Sequence, residues 1–393
     1  MISVTEAKKL VQENAEILSP VAVSLNEASG LILAEDTFSK IDFPPFNQSN
    51  MDGYAFRFSD WTGKNSFEIS GEIPAGGFSK KVLGQGEAIR IFTGAPLPEG
   101  ADTVVMQEKV EVENGKLIVK DSELKQGTFV RKKGAQNSVG DLALPSGTRL
   151  MPASVAYLAS IGIASVKLHP LPKVCIITTG NELRRPGETL TGGEIYECNT
   201  YGLIAALKEL NIMDVAHFIT EDNVIQITET VKRNLENYDI ILMTGGVSFG
   251  DYDFVTKAIE NCGVEKIFHG VKQKPGKPIY FGKRKQTLVF GLPGNPLSML
   301  CCYYEYVLLA IKKIMGIQSE YPFHLQLPLS SSITKKQGLT FFVIGKISEG
   351  KVEPLPNRES YQLSSFAIAD CIIELDENHT EFNAGEMVSV HLL

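Results

Sequence analysis

No apolar stretch of this chain reaches the roughly 18 residues that a membrane-spanning helix needs. The opening Met1-Ile2-Ser3-Val4-Thr5-Glu6 has neither the basic cluster nor the apolar run of a secretory leader. The six cysteines (Cys175, Cys198, Cys262, Cys301, Cys302, Cys371) form no C-x-x-C pair and no metal-ligand spacing. Cys175, Cys301 and Cys302 sit in apolar runs, so reduced, buried thiols are expected. Positive charge is also in short supply. Lys and Arg number 38 against 46 Asp and Glu, and the net charge of −8 argues against broad nucleic-acid binding. An anionic small ligand stays open, because local charge at a cleft matters more than the total. There is no internal repeat and no low-complexity tract. These absences lead us to expect a cytoplasmic protein with neither a nucleic-acid nor a membrane partner.

What is present suits ordinary globular domains: 43% hydrophobic and 21% charged residues in a chain of 393. That length exceeds one compact core and suggests about two to four domains. Ser3 and Glu6 have capping-box spacing, and Val4, Ala7, Leu10, Val11 and Leu18 share a helical face, predicting a helix over residues 5–18. Beyond Phe43-Pro44-Pro45-Phe46, short runs at 67–69, 88–92, 103–107 and 116–119 are punctuated by glycine. They read as a β-rich domain over 41–137, after which residues 152–161 return to helix. His169-Pro170-Leu171-Pro172 is a linker. Strand patterns at 173–178, 213–219, 239–243, 264–268 and 287–290 then interleave with helical patterns at 200–210, 223–236, 253–261 and 297–315. Such alternation predicts a parallel-sheet α/β domain over 171–320, followed by a small all-β module over 321–393.

Ligands of parallel sheets bind beyond the strands' C-terminal ends, and there this chain places its Gly, Pro and charged residues. Thr244-Gly245-Gly246-Val247-Ser248-Phe249-Gly250-Asp251-Tyr252-Asp253 is the sharpest signal. Adjacent glycines let backbone approach a ligand, the next helix offers free N–H groups, and Asp251 and Asp253 suit Mg²⁺. The plain alternative is a glycine turn with Asp as helix cap. Lys274-Pro275-Gly276-Lys277-Pro278 sets two cations on a stiff backbone that can meet an anion, or serves only as a solvated surface loop. In Gly291-Leu292-Pro293-Gly294-Asn295-Pro296, Asn295 suits an N-cap and Pro296 the first helical position. Glu182 in Thr179-Gly180-Asn181-Glu182, and Asp222, also follow strand-like runs, although most surface carboxylates merely solvate. The turns around Asp52-Gly53 and Phe92-Thr93-Gly94-Ala95-Pro96 are, on composition alone, structural.

The ordered set of these strings resembles the molybdopterin molybdenumtransferase (MoeA) family and the E domain of gephyrin, over nearly the whole chain and least after residue 321. The resemblance implies a multidomain fold. Its parts are a central MogA-like α/β domain that binds molybdopterin, a β-rich domain, a small α/β segment domain from 1–40 with 138–170 that links and dimerises, and a C-terminal β-barrel-like domain. It implies insertion of molybdate into adenylylated molybdopterin, giving molybdenum cofactor and AMP with the help of Mg²⁺. It implies a homodimer with an intersubunit active site, and contacts with molybdopterin adenylyltransferase and apo-molybdoenzymes. By motif, Asp52, Thr93, Glu182, Asp222 and Asp253 become the catalytic positions. Asp253 and Glu182 become the metal ligands. Gly245, Gly246, Ser248, Asp251, Lys274, Lys277, Pro293, Gly294, Asn295 and Pro296 become the ligand-binding positions.

Three departures stand out. Ala135 and Gln136 replace a Glu-Asp pair after the basic run. Leu339 to Ile344 lack the arginines that many members carry in the last domain. Gly270 stands where some bacterial members have a lysine, for which Lys272 is a substitute. Two readings of other classes compete, a scaffold of the gephyrin type and the preceding adenylylation enzyme. The acidic and basic positions favour a transferase over the scaffold, and the β-rich and C-terminal modules favour it over the adenylylation enzyme. Nothing in the loops separates molybdate from tungstate.

Overall fold

The computed structural model describes residues 1–247, 253–317, 324–356 and 363–393. The chain divides into two compact units, one of Met1–Val21, Gly30–Ala34 and Leu168–Leu393, the other of Ala22–Ser29 and Glu35–Lys167. Helix α1 (Val4–Asn14) opens the larger unit. The Ser3 hydroxyl accepts from the Glu6 N–H at 3.2 Å, and Val4, Ala7 and Val11 are buried. The helix stops four residues short of the expected end. Leu18 packs from extended chain instead, its N–H donating to the Ile314 carbonyl at 3.2 Å.

The smaller unit contains a six-stranded sheet of β1 (Gly53–Phe56), β2 (Ser66–Ile73), β3 (Glu87–Ile91), β4 (Thr103–Met106), β5 (Val110–Glu113) and β6 (Lys116–Val119), in the order β4-β1-β3-β2-β6-β5. All neighbours are antiparallel except β2 and β3. Alternation places Phe56, Phe67, Ile91 and Leu117 inside, with the Phe56 and Phe67 rings 4.6 Å apart. Gly53 is dictated by backbone crowding, since a Cβ there would lie 1.9 Å from the Val105 carbonyl oxygen. Helix α2 (Pro152–Ser160) falls where the pattern predicts it.

The α/β part of the larger unit runs β7 (Val174–Thr179), α3 (Asn199–Glu209), β8 (Val215–Thr220), α4 (Val224–Asn234), β9 (Ile240–Thr244), α5 (Phe254–Asn261), β10 (Glu265–His269), β11 (Gln273–Lys274), β12 (Tyr280–Arg284) and β13 (Thr287–Leu292). Its sheet order is β8-β7-β9-β13-β12-β10. Every residue of β7, β9 and β13 is buried, as expected for strands covered on both faces. The expected parallel sheet forms the core of this domain, with two antiparallel strands added at one side. β8, β7, β9 and β13 are parallel, but β12 and β10 join antiparallel. A tight turn through Lys285, at φ +56°, connects β12 to β13, and so short a link permits only antiparallel pairing. Strand β12 is not among the strand patterns named above, and its second half, Gly282, Lys283 and Arg284, is poor in strand-favouring residues. Gly282 is needed there, as a Cβ would sit 2.7 Å from the Glu265 carbonyl oxygen.

The predicted helix at 297–315 is helical throughout but not uniform. α6 (Pro296–Cys302) and α7 (Leu308–Ile314) flank a π-helical turn at Tyr303–Val307. The C-terminal sheet follows the order β11-β15-β17-β18-β14, with β14 (His324–Pro328), β15 (Thr340–Ser348), β16 (Lys351–Pro354), β17 (Cys371–Leu375) and β18 (Met387–Leu392), and β16 pairs with β15. Among the described residues, no helix is long and apolar enough to cross a membrane.

Candidate active site

Three parallel strands end side by side in glycine-bearing loops. β7 leads into Thr179-Gly180, β9 into Thr244-Gly245-Gly246, and β13 into Pro293-Gly294-Asn295. With the start of α3, these ends line an open cleft of about 380 Å³. Gly245 has φ +92°, and a Cβ on it would lie 2.2 Å from the Thr179 carbonyl oxygen. At Gly246 (φ +60°) a Cβ would meet Val255 at 2.9 Å. Only glycine lets the turn close over β7 while keeping a positive φ.

Asn199 ties the cleft together. Its Nδ2 donates to Thr244 Oγ1 at 2.7 Å and to the Gly294 carbonyl at 2.9 Å, joining α3, β9 and the loop after β13. It is 8% exposed. Sequence reasoning missed it, because an Asn beginning a helix looks like any capping residue and its two partners are distant in the chain. Behind it, His217 Nε2 lies 3.2 Å from Thr178 Oγ1 and 3.1 Å from Thr200 Oγ1. Burial pushes the His217 imidazole below its ordinary range, with Glu197 acting in the opposite sense.

The expected site residues distribute as follows. Glu182, Gly245, Gly294, Asn295 and Pro296 line the cleft, and Gly246 continues its glycine turn. Pro293 is buried. Asn295 takes the N-cap position of α6, and Pro296 is that helix's first residue. The Asp222 N–H donates to Asn181 Oδ1 at 3.3 Å, which ties Asp222 to the loop carrying Glu182. Asp222 Oδ1 is buried and accepts no hydrogen bond among the described residues. Asp253 caps α5, its Oδ1 accepting from the Thr256 N–H at 3.0 Å. Ser248 and Asp251 lie outside the described residues.

Lys274 is exposed in β11, its ammonium 5.8 Å from the centre of the Phe341 ring. It lines a separate cavity of about 140 Å³ with Pro275, Phe341 and Ile344. Lys277 is exposed in the same loop, where Gly276 (φ +81°) leaves no room for a Cβ, 2.4 Å from Cys302 Sγ. In the smaller unit Asp52 and Thr93 meet directly. Asp52 Oδ1 accepts from the Thr93 N–H at 2.8 Å and from Thr93 Oγ1 at 2.7 Å. These two bonds hold the Asp52 carboxyl below its ordinary range.

Each departure has a local setting. The Gln136 N–H donates to the Phe43 carbonyl at 2.9 Å. Ile344 is buried and lines the Lys274 cavity, so an apolar wall stands at a position where the family resemblance led us to look for arginine. Gly270 has φ +88°, a conformation that disfavours a lysine there.

One group of three side chains with metal-ligand spacing exists among the described residues: Glu305, Glu374 and His391. An ammonium already occupies it. Lys8 Nζ lies 2.7 Å from Glu305 Oε2 and 2.9 Å from Glu374 Oε2. The group contains neither Glu182 nor Asp253. All six cysteines are free, and five are buried.

Comparison with known proteins yields a consistent picture. Residues 2–162 match the family model of the MoeA N-terminal region (domain I and II). Residues 175–313 match a probable molybdopterin binding domain, and residues 326–393 the MoeA C-terminal region (domain IV). The molybdopterin molybdenumtransferase of Nostoc sp. is 34% identical over 387 residues, covering 96% of this chain and 83% of the relative. That of Haemophilus influenzae is 33% identical, covering 94% of each. A crystal structure of the molybdopterin biosynthesis MoeA protein of Pyrococcus horikoshii aligns over 100% of both chains, with a TM-score of 0.82 and 30% identity.

Proposed function

The chain belongs to the MoeA family, and from that premise we propose that it inserts molybdenum into molybdopterin, taking adenylylated molybdopterin and molybdate and giving molybdenum cofactor and AMP. The observation that carries this reading is the cleft where Glu182, the Gly245 turn and the Gly294-Asn295-Pro296 loop meet at the ends of β7, β9 and β13. Backbone bared by glycine can approach a phosphorylated ligand there, and fixed dipoles stabilise charge that develops during the transfer.

Mg²⁺ suits carboxylate donors of this kind. It takes one or two carboxylates and fills its shell with water and phosphate oxygens. Asp253 and Glu182 would hold it, each through a single carboxylate, and the unpartnered Asp222 Oδ1 lies on a loop bonded to the one that carries Glu182. Bound there, the ion would offset the negative charge of the pyrophosphate link. The protein's own groups divide the remaining work. The exposed Lys274 and Lys277 supply positive charge toward an incoming oxyanion. Thr93 keeps Asp52 ionised and fixed in orientation through two hydrogen bonds. Pro293 and Pro296 stiffen the loop beside the ligand. The proposal includes a cytoplasmic homodimer whose active site is shared between copies, with Asp52 and Thr93 contributed across.

The test is AMP release from adenylylated molybdopterin with Mg²⁺ and molybdate, in wild type and in Asp253→Asn. Asn is chosen because it keeps the helix cap and removes the charge. Molybdate-dependent release that collapses in the variant supports the transferase and the metal position. A folded wild type that releases no AMP sinks the reading.

A further inference from the structure

One wall of the cleft is apolar and is built separately from the strand ends. Leu183–Arg184 and Ile195–Tyr196 pair as a short parallel ribbon, bonded through the Ile195 N–H to the Glu182 carbonyl at 3.0 Å and the Glu197 N–H to the Arg184 carbonyl at 2.8 Å. Leu183, Ile195 and Tyr196 all line the cleft. Ile195 is 53% exposed and Tyr196 45%, so two large side chains of this backbone-paired ribbon stay open beside the cleft.

The Tyr196 ring is anchored. Its hydroxyl donates to the Glu188 carbonyl at 2.8 Å, so the polar end is satisfied within the protein and the ring face is left to the cleft. The loop that supplies this acceptor is itself stapled. Glu188 accepts from the Arg185 N–H at 3.0 Å, Glu194 accepts from the Thr191 N–H at 2.7 Å, and Arg184 pairs with Glu194. An aromatic ring fixed before binding loses little entropy when a second ring stacks on it. The charge of the lining agrees with an uncharged occupant beside it. Glu182 and Glu197 contribute carboxylates, and no lysine or arginine lines the cleft among the described residues. A phosphate or molybdate would gain no side-chain cation here, whereas a neutral ring with an exocyclic amino group could donate to a carboxylate.

We propose that Tyr196 is the stacking platform of a subsite for a planar amino-substituted heterocycle. The inference rests on the proposed function and sharpens it. The ring end of the substrate lies on the Leu183, Ile195 and Tyr196 wall, and the oxyanion end lies away from it. Adenylylated molybdopterin carries two such rings, pterin and adenine, and both share the stacking chemistry.

The test is calorimetric binding of AMP and of 6-hydroxymethylpterin, each as a separate probe, to the full chain as wild type, Tyr196→Phe and Tyr196→Ala. Inorganic phosphate serves as a third probe. Base stacking on an aromatic side chain predicts that Tyr196→Ala weakens one or both ring ligands by about five- to a hundredfold. Tyr196→Phe keeps the face and stays within about threefold of wild type, while phosphate binding is unchanged. Upfield ring-current shifts of the bound probe's protons accompany binding to wild type and Tyr196→Phe and disappear in Tyr196→Ala. Loss confined to AMP assigns the adenine, and loss confined to the pterin assigns the pterin; either supports the subsite. Equal binding of both rings by wild type and Tyr196→Ala overturns it, even where the wild type releases AMP in the transferase assay. A wild type that binds neither ring and releases no AMP overturns the subsite and the function together.

Discussion

The Lys8, Glu305, Glu374 and His391 cluster makes a quantitative demand on pH dependence. His391 Nδ1 lies 2.7 Å from Glu305 Oε1 and its Nε2 lies 3.2 Å from Glu374 Oε2, while Lys8 closes the other side. Burial works against the Glu374 carboxylate, but the His391 hydrogen bond and the Lys8 charge outweigh it and hold its carboxyl at about 2. Burial likewise disfavours the His391 imidazolium, and Glu305 and Glu374 overcome that to raise its pKa. Glu374 therefore contributes stability that is present above its unfolded value near 4.5 and is lost as pH falls toward 2. His391 contributes stability that is present below about 6.5 and is lost as pH rises through its raised value. A carboxyl held at about 2 instead of 4.5 corresponds to about 3 kcal/mol at neutral pH, shared across the network. The single tryptophan, Trp61, belongs to the β-rich unit, so its fluorescence is the wrong signal. Hydrogen-exchange protection of peptides spanning β17 and β18, followed from pH 6 down to pH 3, reads the right region. Wild type should lose protection across that range, and Glu374→Gln should start lower and lose about 2 kcal/mol less by pH 3, the part of that roughly 3 kcal/mol that titrates between 4.5 and 3. An acid limb of equal steepness in both proteins would refute the reasoning. Lys8→Met, which leaves His391 as the remaining cation of the cluster for two carboxylates, Glu305 and Glu374, should cost about 3–5 kcal/mol.

Three further outcomes follow from the site. Gly245→Ala places a methyl 2.2 Å from the Thr179 carbonyl oxygen at positive φ, so it should cost about 2 kcal/mol or more in thermal melts and abolish AMP release. Asn199→Ala removes two buried hydrogen bonds and should cost about 1–3 kcal/mol, seen as faster exchange in the loops after β9 and β13. Burial pushes the Cys175 and Cys371 thiols up to about 12, so thiol reagents should label Cys198 first and leave those two untouched until the chain unfolds.

Period and punctuation carried most of the fold. The buried strands β7, β9 and β13 are continuous apolar runs of the expected length, and α4 and α5 start at capping residues visible in the sequence, Asn223 and Asp253. The misses share one physical cause, dependence on distant chain. Gly282 of β12 is required by a neighbouring strand that passes close to it, a constraint that no local pattern shows. Lys274 lies on a cavity with Phe341 because β11 pairs with β15, a partner no local pattern identifies. Asp52 and Thr93 each read as a turn residue, and the bond between them is a fact of the folded sheet. Asn199 is the extreme case, with both acceptors in other segments. Asp253 is legible as a helix cap, and one of its carboxylate oxygens does cap α5.

The two-residue strand β11 runs parallel to Thr340–Phe341, so the C-terminal sheet counts among its members a strand from the middle of the chain. Lys274 is thereby tethered to a module whose own sequence begins some way downstream. Cutting the chain between the α/β part and that module would be no clean excision, because it would leave the lysine's backbone without its pairing partner. A chimera that exchanges C-terminal modules between relatives inherits the same obligation. Either the incoming module reproduces the edge at Thr340–Phe341, or residues 273–274 must travel with it.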